Sequence, residues 1–361
     1  MRGLSLINKS LYLINSISLL TLLLSYLSPY ISPTFFWPIS FFGLVFPILY
    51  LVNLTFFVYW LIGFKKPMWA NLIILLIGIG NISNYFGTSP NSNSSEENTK
   101  ILSYNVRLFN RYGWIPKENV REDIFAFFTE EDADILCIQE FYTPNEIPDL
   151  NYPYRHIGLQ NKKSQWHMAI YSKYPQIKKK TVSIKGERMN NTCIYSDMII
   201  NEDTIRVYNI HLASNWFKNS DYLFIQNPQK EKIKKGLKGI ASRLKNSFIK
   251  RAEEVAVIKE HIKTSPYPII LCGDFNDTPL SFAYNSIKGD LVDAFTVCGK
   301  GIGDSFVKIP ALRIDYIFHD EELKSSNYKK HKKVLSDHYA VSCDIRWEKI
   351  SDRNQKPVPK N

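Results

Sequence analysis

Two long stretches of this 361-residue sequence contain no Asp, Glu, Lys or Arg. They run from Ser10 to Phe64 and from Pro67 to Ser95, and nearly all of the charge lies after Lys100. A helix at the surface of a soluble bundle carries a polar face. The absence of any charge therefore argues against a soluble helical bundle and predicts that this part of the chain lies in a membrane.

A cysteine framework is also missing. The five cysteines show neither a CxxC pair nor a metal-ligand spacing, and Cys137, Cys272 and Cys343 stand in apolar, strand-like runs. We expect all five to be small buried side chains. The formal net charge is +11. A basic surface of this kind suits a polyanion, a phosphorylated molecule or an anionic membrane, and it also serves solubility.

The apolar residues form three runs long enough to cross a bilayer, which takes about 20 residues. They are Leu11–Ser28, Ile39–Ile62 and Met68–Phe86, and three prolines separate the first run from the second. No small-residue cleavage site follows the first run, which argues against a cleaved signal peptide. We expect a three-span transmembrane anchor over residues 1–86.

Positive charges indicate the orientation of this anchor. Lys9 precedes the first run, and Lys65 and Lys66 form the turn between the second and third, whereas the loop between the first two runs has none. Basic flanks favour the cytoplasmic side. We expect a multi-pass protein of the cytoplasmic (inner) membrane with everything after Phe86 outside the cytoplasm. The alternative is that the first run, polar near Asn15, does not cross, which would return the remainder to the cytoplasm.

The chain after the anchor has the pattern of one folded domain. Residues 87–99 (GTSPNSNSSEENT) are typical of a polar linker. Strand-like runs then alternate with helical patterns, such as the one from Gln229 to Ile262, up to about Trp347. This predicts a mixed α/β (α+β) domain over residues 100–347, with two packed sheets and helices outside, and a polar tail over 348–361.

Polar residues stand at the ends of five of these runs. The motifs are SYNVR, IQEF, NIHL, GDFND and the late pair RIDYIF and SDHYAV, and they contribute Asn105, Glu140, Asn209, His211, Asp274, Asn276, Asp315, Asp337 and His338. Their order resembles the endonuclease/exonuclease/phosphatase superfamily, which includes DNase I, the AP endonucleases, neutral sphingomyelinases and inositol-polyphosphate phosphatases. The resemblance covers Lys100 to Trp347, and it implies a DNase I-like four-layer α/β sandwich.

A phosphodiester is an anion, so its charge must be offset before a nucleophile approaches. Mg²⁺ does this with one or two protein carboxylates and water molecules. Glu140 is the best ligand, Asn105 can steady it or its waters, and Asp337 is the second carboxylate. The resemblance supports these three residues as the metal site, with Mn²⁺ as a substitute for Mg²⁺.

The remaining site residues are candidates for catalysis. The resemblance pairs His338 with Asp315, and an acid partner stabilises the charged form of an imidazole. Asp274 can orient or deprotonate water and Asn276 can bind phosphate oxygen, but the sequence does not decide whether Asp274 or the Asp315–His338 pair is the base. His211 suits a general acid, although the glutamate that such enzymes place on the strand Trp166–Ser172 is absent.

Two further segments bear on the substrate. Trp216, Phe217, Tyr222 and Phe224 form an aromatic loop that either packs on the core or contacts a substrate or membrane. Nine Lys or Arg and one Glu lie between Lys230 and Arg251. They form either a solvated helix face or a surface for anionic lipid or nucleic acid.

The sequence therefore predicts a membrane-anchored, Mg²⁺-dependent phosphoesterase. Its expected substrate is a phosphodiester in nucleic acid or a lipid head group, cleaved by direct attack of water. The alternative is a phosphomonoesterase that acts on a phosphorylated small molecule or a phosphoinositide. A chromosomal AP endonuclease is disfavoured by His211 and by the predicted location. A binding module with a dead site is disfavoured because no catalytic candidate is missing, and no segment indicates an obligate protein partner.

Overall fold

The computed structural model describes residues 5–89, 98–143, 147–158, 165–184, 192–215 and 233–346. The aromatic loop Trp216–Phe224, most of the linker, the start of the basic segment and the tail 348–361 lie outside these residues. The described chain falls into two parts. One is an N-terminal group of helices, and the other is a domain of two sheets.

The N-terminal group, which we call the helical unit, spans residues 6–84. Its helices are α1 (Leu6–Leu27), α2 (Pro33–Phe36), α3 (Ile39–Leu44), α4 (Phe46–Ile62) and α5 (Pro67–Gly78), and a 3-10 turn covers Ile79–Asn84. The second expected span is broken between α3 and α4. Pro47 lies in the first turn of α4, where its missing N–H does no harm, but it cannot continue the preceding helix.

Two helices of this unit are long and apolar enough to cross a bilayer, by length and composition. They are Leu6–Leu27 and Pro67–Asn84, the second counted with its 3-10 turn. The helix between them, Phe46–Ile62, has 17 residues. Many large apolar side chains of the unit are exposed, among them Ile48, Leu51 and Ile73 at 63%, 62% and 57%. The third expected span ends two residues early, because Phe86 belongs to a strand.

Polar side chains join the three long helices at their centre. The Asn15 side-chain oxygen accepts hydrogen bonds from Trp60 Nε1 (2.8 Å) and Asn71 Nδ2 (2.9 Å), and Asn15 Nδ2 donates to the Asn71 oxygen at 3.0 Å. All three side chains are buried. Amide hydrogen bonds of this kind hold helices together in an apolar surrounding.

Two six-stranded sheets form the second part. The strands are β2 (Thr99–Asn105), β3 (Ile135–Tyr142), β4 (Tyr154–Ile157), β5 (Trp166–Ser172), β6 (Gln176–Thr181), β7 (Cys193–Ile200), β8 (Asp203–His211), β9 (Ile269–Asp274), β10 (Val292–Asp293), β12 (Asp315–His319), β13 (Lys324–His331) and β14 (Ala340–Arg346). The strand orders are β13-β14-β2-β3-β5-β4 and β10-β12-β9-β8-β7-β6. Only β2/β3 and β8/β9 are parallel among these pairs.

The sheets pack face to face between helices. Ile101, Cys137 and Ile170 of the first sheet share one buried cluster with Val207 and Cys272 of the second. The outer face of the first sheet packs on α6 (Val120–Glu131). The outer face of the second packs on α7 (Ile233–Lys263) and α8 (Phe282–Lys288), and a short helix, α9 (Ala294–Cys298), follows β10. The predicted four-layer sandwich is confirmed, and all five cysteines are buried as expected.

A small third sheet joins the two parts. β1 (Phe86–Thr88) pairs with β11 (Lys300–Ile302), so that Gly87 and Thr88, which the sequence assigns to the linker, belong to a strand. The sequence patterns also missed β4, β6, β10 and β13. These are the edge strands of the two six-stranded sheets.

Candidate active site

The parallel pair β2/β3 positions the first site residues. Asn105 ends β2 and pairs in register with Gln139. A bulge in β3 lies between Ile138 and Phe141, and within it Glu140 has a φ of 49°. A bulge re-aims a side chain, and here Glu140 comes within reach of Asn105, whose Nδ2 donates to Glu140 Oε1 at 3.2 Å.

The parallel pair β8/β9 supplies the next two residues. His211 and Asp274 end these strands directly opposite each other. Asp274 is fully buried, and its oxygens accept from Asn105 Nδ2 (2.9 Å), Asn276 N (2.8 Å) and Asn276 Nδ2 (3.2 Å). His211 Nε2 lies 3.6 Å from Glu140 Oε1 and 3.7 Å from Asp274 Oδ2. The carboxylate neighbours of His211 therefore come from β3 and β9.

Asp315 and His338 form a hydrogen-bonded pair beside Asp274. Asp315 starts β12 and pairs in register with Asp274. His338 Nδ1 bonds Asp315 Oδ2 at 2.9 Å, and its Nε2 lies 3.6 Å from Asp274 Oδ2. The Asp274 carboxylate thus lies between two imidazole Nε2 atoms, one from His211 and one from His338.

Burial and neighbouring charges set the pKa values of this pair. Burial alone would lower the pKa of His338, but the nearby carboxylates of Asp315 and Asp274 outweigh it and raise the pKa to about 10. Burial and the charge of Asp274 raise the pKa of Asp315, against the opposing effect of His338. An imidazole with two carboxylates beside it keeps its positive charge at neutral pH, which suits contact with an anionic phosphate.

A basic pair surrounds the last predicted metal ligand. Asp337 Oδ2 lies 2.9 Å from Arg107 Nη1, so this carboxylate is partly neutralised. The backbone from Arg107 to Asn110 has positive φ angles of 43° to 57°, which turns Arg107 back toward Asp337. Lys308 interacts electrostatically with both groups, because burial and Arg107 lower the pKa of its ammonium and Asp337 opposes them.

Further polar side chains hold the two sheets in alignment at the site. Gln139 Nε2 donates to the Asn209 side chain at 2.7 Å, and Asn209 Nδ2 donates to the carbonyls of Ile138 and Ala169 at 2.9 Å. Ser305 Oγ accepts from the backbone N–H groups of Ile314 and Asp315. Buried polar groups that are satisfied in this way fix the positions of their neighbours.

The residues present fit a divalent cation with oxygen ligands. Glu140 is the most exposed of the site carboxylates, with 26% of its side chain accessible. The Asn105 amide oxygen accepts from the Arg107 backbone N–H and keeps a second lone pair for a cation or its water. A ligand-type atom from each of Asp274, Asp315 and His338 also lies within 4.8 Å of the others. His338 could bind a metal there only as a neutral imidazole, and the two carboxylates favour its charged form.

The structure brings the predicted residues to one place, and it assigns Asn276 contacts that the sequence did not suggest. Both hydrogens of the Asn276 amide are used, one by Asp274 Oδ2 and one by the Leu212 carbonyl at 3.0 Å. Asn276 therefore holds Asp274 in position. Sequence reasoning did not single out Arg107, Ser305 or Lys308. Only Arg107 had a signal, since it belongs to the SYNVR motif.

Comparisons with known proteins identify the family of the two-sheet domain. A sequence profile of the endonuclease/exonuclease/phosphatase family matches residues 102–338, and a profile of a domain of unknown function matches residues 8–85. A search of the curated proteins found no match.

Solved structures share the fold at low sequence identity. A family protein from Bacteroides thetaiotaomicron has 16% identity and a TM-score of 0.52, covering 72% of this chain and 98% of its own. The mannosyl-6-phosphatase of the same organism has 16% identity and a TM-score of 0.50, covering 69% and 100%. D. rerio TDP2, solved with a single-strand DNA product, has 14% identity and a TM-score of 0.50, covering 70% and 100%. With the profile matching most of its length, this chain belongs to the endonuclease/exonuclease/phosphatase family of phosphoester hydrolases.

Proposed function

We propose that this protein is a membrane-anchored, Mg²⁺-dependent phosphodiesterase whose catalytic domain lies outside the cytoplasm. The observation that supports it best is the convergence of Glu140, Asn105, Asp274 and the Asp315–His338 pair at the ends of strands from both sheets. Oxygen ligands beside an imidazolium suit a phosphate ester, because both the cation and the charged imidazole offset its negative charge.

Each residue has a role in the proposed reaction. Glu140, with Asn105, would hold the cation, which when bound neutralises charge on the phosphate. Asp274, held by Asn105 and Asn276, orients a water molecule and takes its proton. The water oxygen forms a new bond to phosphorus while the ester bond opposite it breaks. His211 gives a proton to the leaving oxygen, and the charged His338 binds a phosphate oxygen through Nε2.

The membrane location is proposed from the helical unit. Tyr59 OH donates to the Asn8 side chain at 2.8 Å, which places the start of α1 beside the end of α4. Lys9 and the Lys65–Lys66 turn therefore share one end of the unit, and the catalytic domain contacts the other end. By the positive-inside rule, the end with the lysines faces the cytoplasm.

A phosphomonoesterase is the second candidate, and the basic pair Arg107 and Lys308 favours it. Both groups lie near Asp337, and a monoester carries more negative charge at neutral pH than a diester does. The two activities are distinguished by rate. The full chain in detergent with Mg²⁺ should hydrolyse bis(p-nitrophenyl) phosphate faster than p-nitrophenyl phosphate.

A matched pair of variants tests the assignment of this site. Asp274→Asn should lower the diesterase rate by about 100-fold or more, while Asp290→Asn, an exposed aspartate of the same domain, should retain it. A faster monoesterase rate would favour the second candidate. Unchanged activity of Asp274→Asn would refute the site.

A further inference from the structure

A short loop connects the candidate site to the helical unit. Asp274 ends β9, and Leu280 follows six residues later with 3% of its surface exposed. Leu280 lies in a buried apolar cluster with Leu22, Phe46 and Leu75 of the helical unit. Six residues of extended chain cover at most about 21 Å, so the site lies within that distance of the helices.

The catalytic domain rests on one end of the helical unit through several other contacts. Asn285 Nδ2 donates to the Pro29 carbonyl at 3.1 Å, and Arg313 Nη1 donates to the Asn84 carbonyl at 3.0 Å. The Phe41 ring packs edge-on against Phe248 of α7, with centroids 5.4 Å apart. Together with the β1/β11 pairing, these contacts make a docked surface and exclude a free tether between the two parts.

This end of the unit has the features of a bilayer surface. The 22 residues of α1 cover about 33 Å, close to the roughly 30 Å of the hydrocarbon core. Large aromatic side chains are exposed where the helices meet the domain, with Tyr30 at 73%, Phe35 at 87% and Phe86 at 49%. Aromatic side chains are enriched at membrane–water interfaces.

Positive charge lies at the same level. The Lys245 ammonium of α7 lies 5.0 Å from the centroid of the Trp37 ring, in the turn between α2 and α3. Of the other cations on the described part of this helix, Lys238 and Lys250 are exposed, whereas Arg251 is buried and paired with Asp277. Lysines near a bilayer surface attract anionic lipids.

We propose that the substrate is the phosphate of a lipid head group, taken from the bilayer that holds the helices. The inference rests on the proposed phosphoesterase activity and specifies its substrate class. A lipid phosphate already lies at the bilayer surface beside which the domain is docked, near the loop that connects Asp274 to Leu280. A nucleic acid would instead have to approach the site beside an anionic bilayer, which repels it.

The full chain in phosphatidylcholine vesicles tests this proposal. The probes are sphingomyelin and phosphatidic acid in the same vesicles, short-chain soluble phosphatidic acid, a single-stranded oligonucleotide and a p-nitrophenyl phosphodiester. We expect one vesicle lipid to be hydrolysed about tenfold faster than the short-chain ester and the oligonucleotide at equal concentration.

Other outcomes would contradict the proposal in different ways. Comparable or faster cleavage of the short-chain ester or the oligonucleotide would overturn the lipid assignment and leave the phosphoesterase activity intact. Hydrolysis of the chromogenic ester alone would overturn it too, and no hydrolysis of any probe would refute the phosphoesterase itself.

Two charge reversals on α7 separate surface binding from chemistry. Lys245→Glu should lower the ratio of lipid rate to chromogenic rate by about fivefold or more in vesicles containing anionic lipid. Lys259→Glu makes the same change 14 residues away, about 21 Å along the helix, and should keep the ratio. Equal ratios for both variants would contradict the proposed orientation of the site toward the bilayer.

Discussion

Asp274 is the residue on which the site converges. Side chains from β2, β8 and the segment before β14 surround its carboxylate, and Asn105 and Asn276 donate hydrogen bonds to it. A buried carboxylate is costly unless such donors stabilise it. Removing either amide should therefore disturb the position or the charge of Asp274, in addition to any direct role of the amide itself.

The Asp315–His338 pair gives a residue-scale prediction. His338→Ala should lower the rate more than His211→Ala, because His338 has a direct hydrogen bond to a buried carboxylate and His211 has contacts of 3.6 Å or longer. Asp315→Asn should resemble His338→Ala, since residues that act as a unit are non-additive. Steady-state rates of the single and double variants measure this. A double variant that shows the full product of the two single losses would contradict the pair.

Only part of this site could be predicted from the sequence. The family resemblance paired Asp315 with His338, and in the structure His338 Nδ1 lies 2.9 Å from Asp315 Oδ2. Arg107 belongs to the SYNVR motif, but its contact with Asp337 was not predictable, because that contact depends on a run of positive φ angles that no glycine signals. Ser305 was missed for a similar reason, since its loop has no strand or helix period and only the fold brings it to Asp315.

At the scale of elements, strand prediction succeeded in the middle of the sheets and failed at the edges. The central strands β2, β3 and β9 are apolar on both faces because sheets and helices cover them. β6 (QIKKKT) and β13 (KSSNYKKH) are edge strands whose sequences have the polar composition of loops. Lysine on an edge prevents pairing with other chains, and it also removes the apolar alternation that identifies a strand.

The contact between α3 and the loop that connects Asp274 to Leu280 leads to a prediction about stability. A Cβ added at Gly43 would stand 2.3 Å from both the Leu280 carbonyl oxygen and Ser28 Oγ. Gly43→Ala should therefore push the Leu280 loop away and lower the melting temperature of the full chain in detergent, although alanine is the better helix former by about 1 kcal/mol. It should lower activity as well, since this loop directly follows Asp274 in the chain.

Gly80→Ala is the control for this effect. A Cβ at Gly80 meets nothing within 4 Å, so the substitution should leave the melting temperature and the activity close to those of the unchanged protein. If Gly43→Ala and Gly80→Ala were equally stable and active, the close docking of the helical unit on the loop would be wrong.

At the scale of the whole molecule, the helical unit and the sandwich share buried contacts. Arg313, fully buried, binds Asp293 and the Asn84 carbonyl, and it lies two residues before Asp315. Sequence patterns separated the two parts by composition and gave no sign of this contact. Long-range packing of this kind depends on the fold, which local periodicity does not contain.

The orientation in the membrane is tested by fusions at Asn361. Alkaline phosphatase is active only outside the cytoplasm, and a cytoplasm-only fluorescent protein reports the opposite side. We expect an active phosphatase and a dark fluorophore, because the lysine-bearing end of the helical unit favours the cytoplasm. A bright fluorophore with an inactive phosphatase would place the domain in the cytoplasm and reopen the case for a chromosomal substrate.

We propose that Glu140 holds a divalent cation on which phosphoester hydrolysis depends. The direct test is the hydrolysis rate of the full chain with Mg²⁺, with EDTA and with EDTA followed by excess Mg²⁺, for the unchanged protein, Glu140→Gln and Glu253→Gln. Glu253 is an exposed glutamate of α7 and serves as the control. We expect EDTA to abolish the hydrolysis rate and excess Mg²⁺ to restore it. Glu140→Gln should lower the rate at least about 100-fold, equivalent to ~2.7 kcal/mol, at an unchanged melting temperature. Glu253→Gln should retain full activity. Full activity of the unchanged protein in EDTA, or of Glu140→Gln in Mg²⁺, would contradict a cation bound by Glu140.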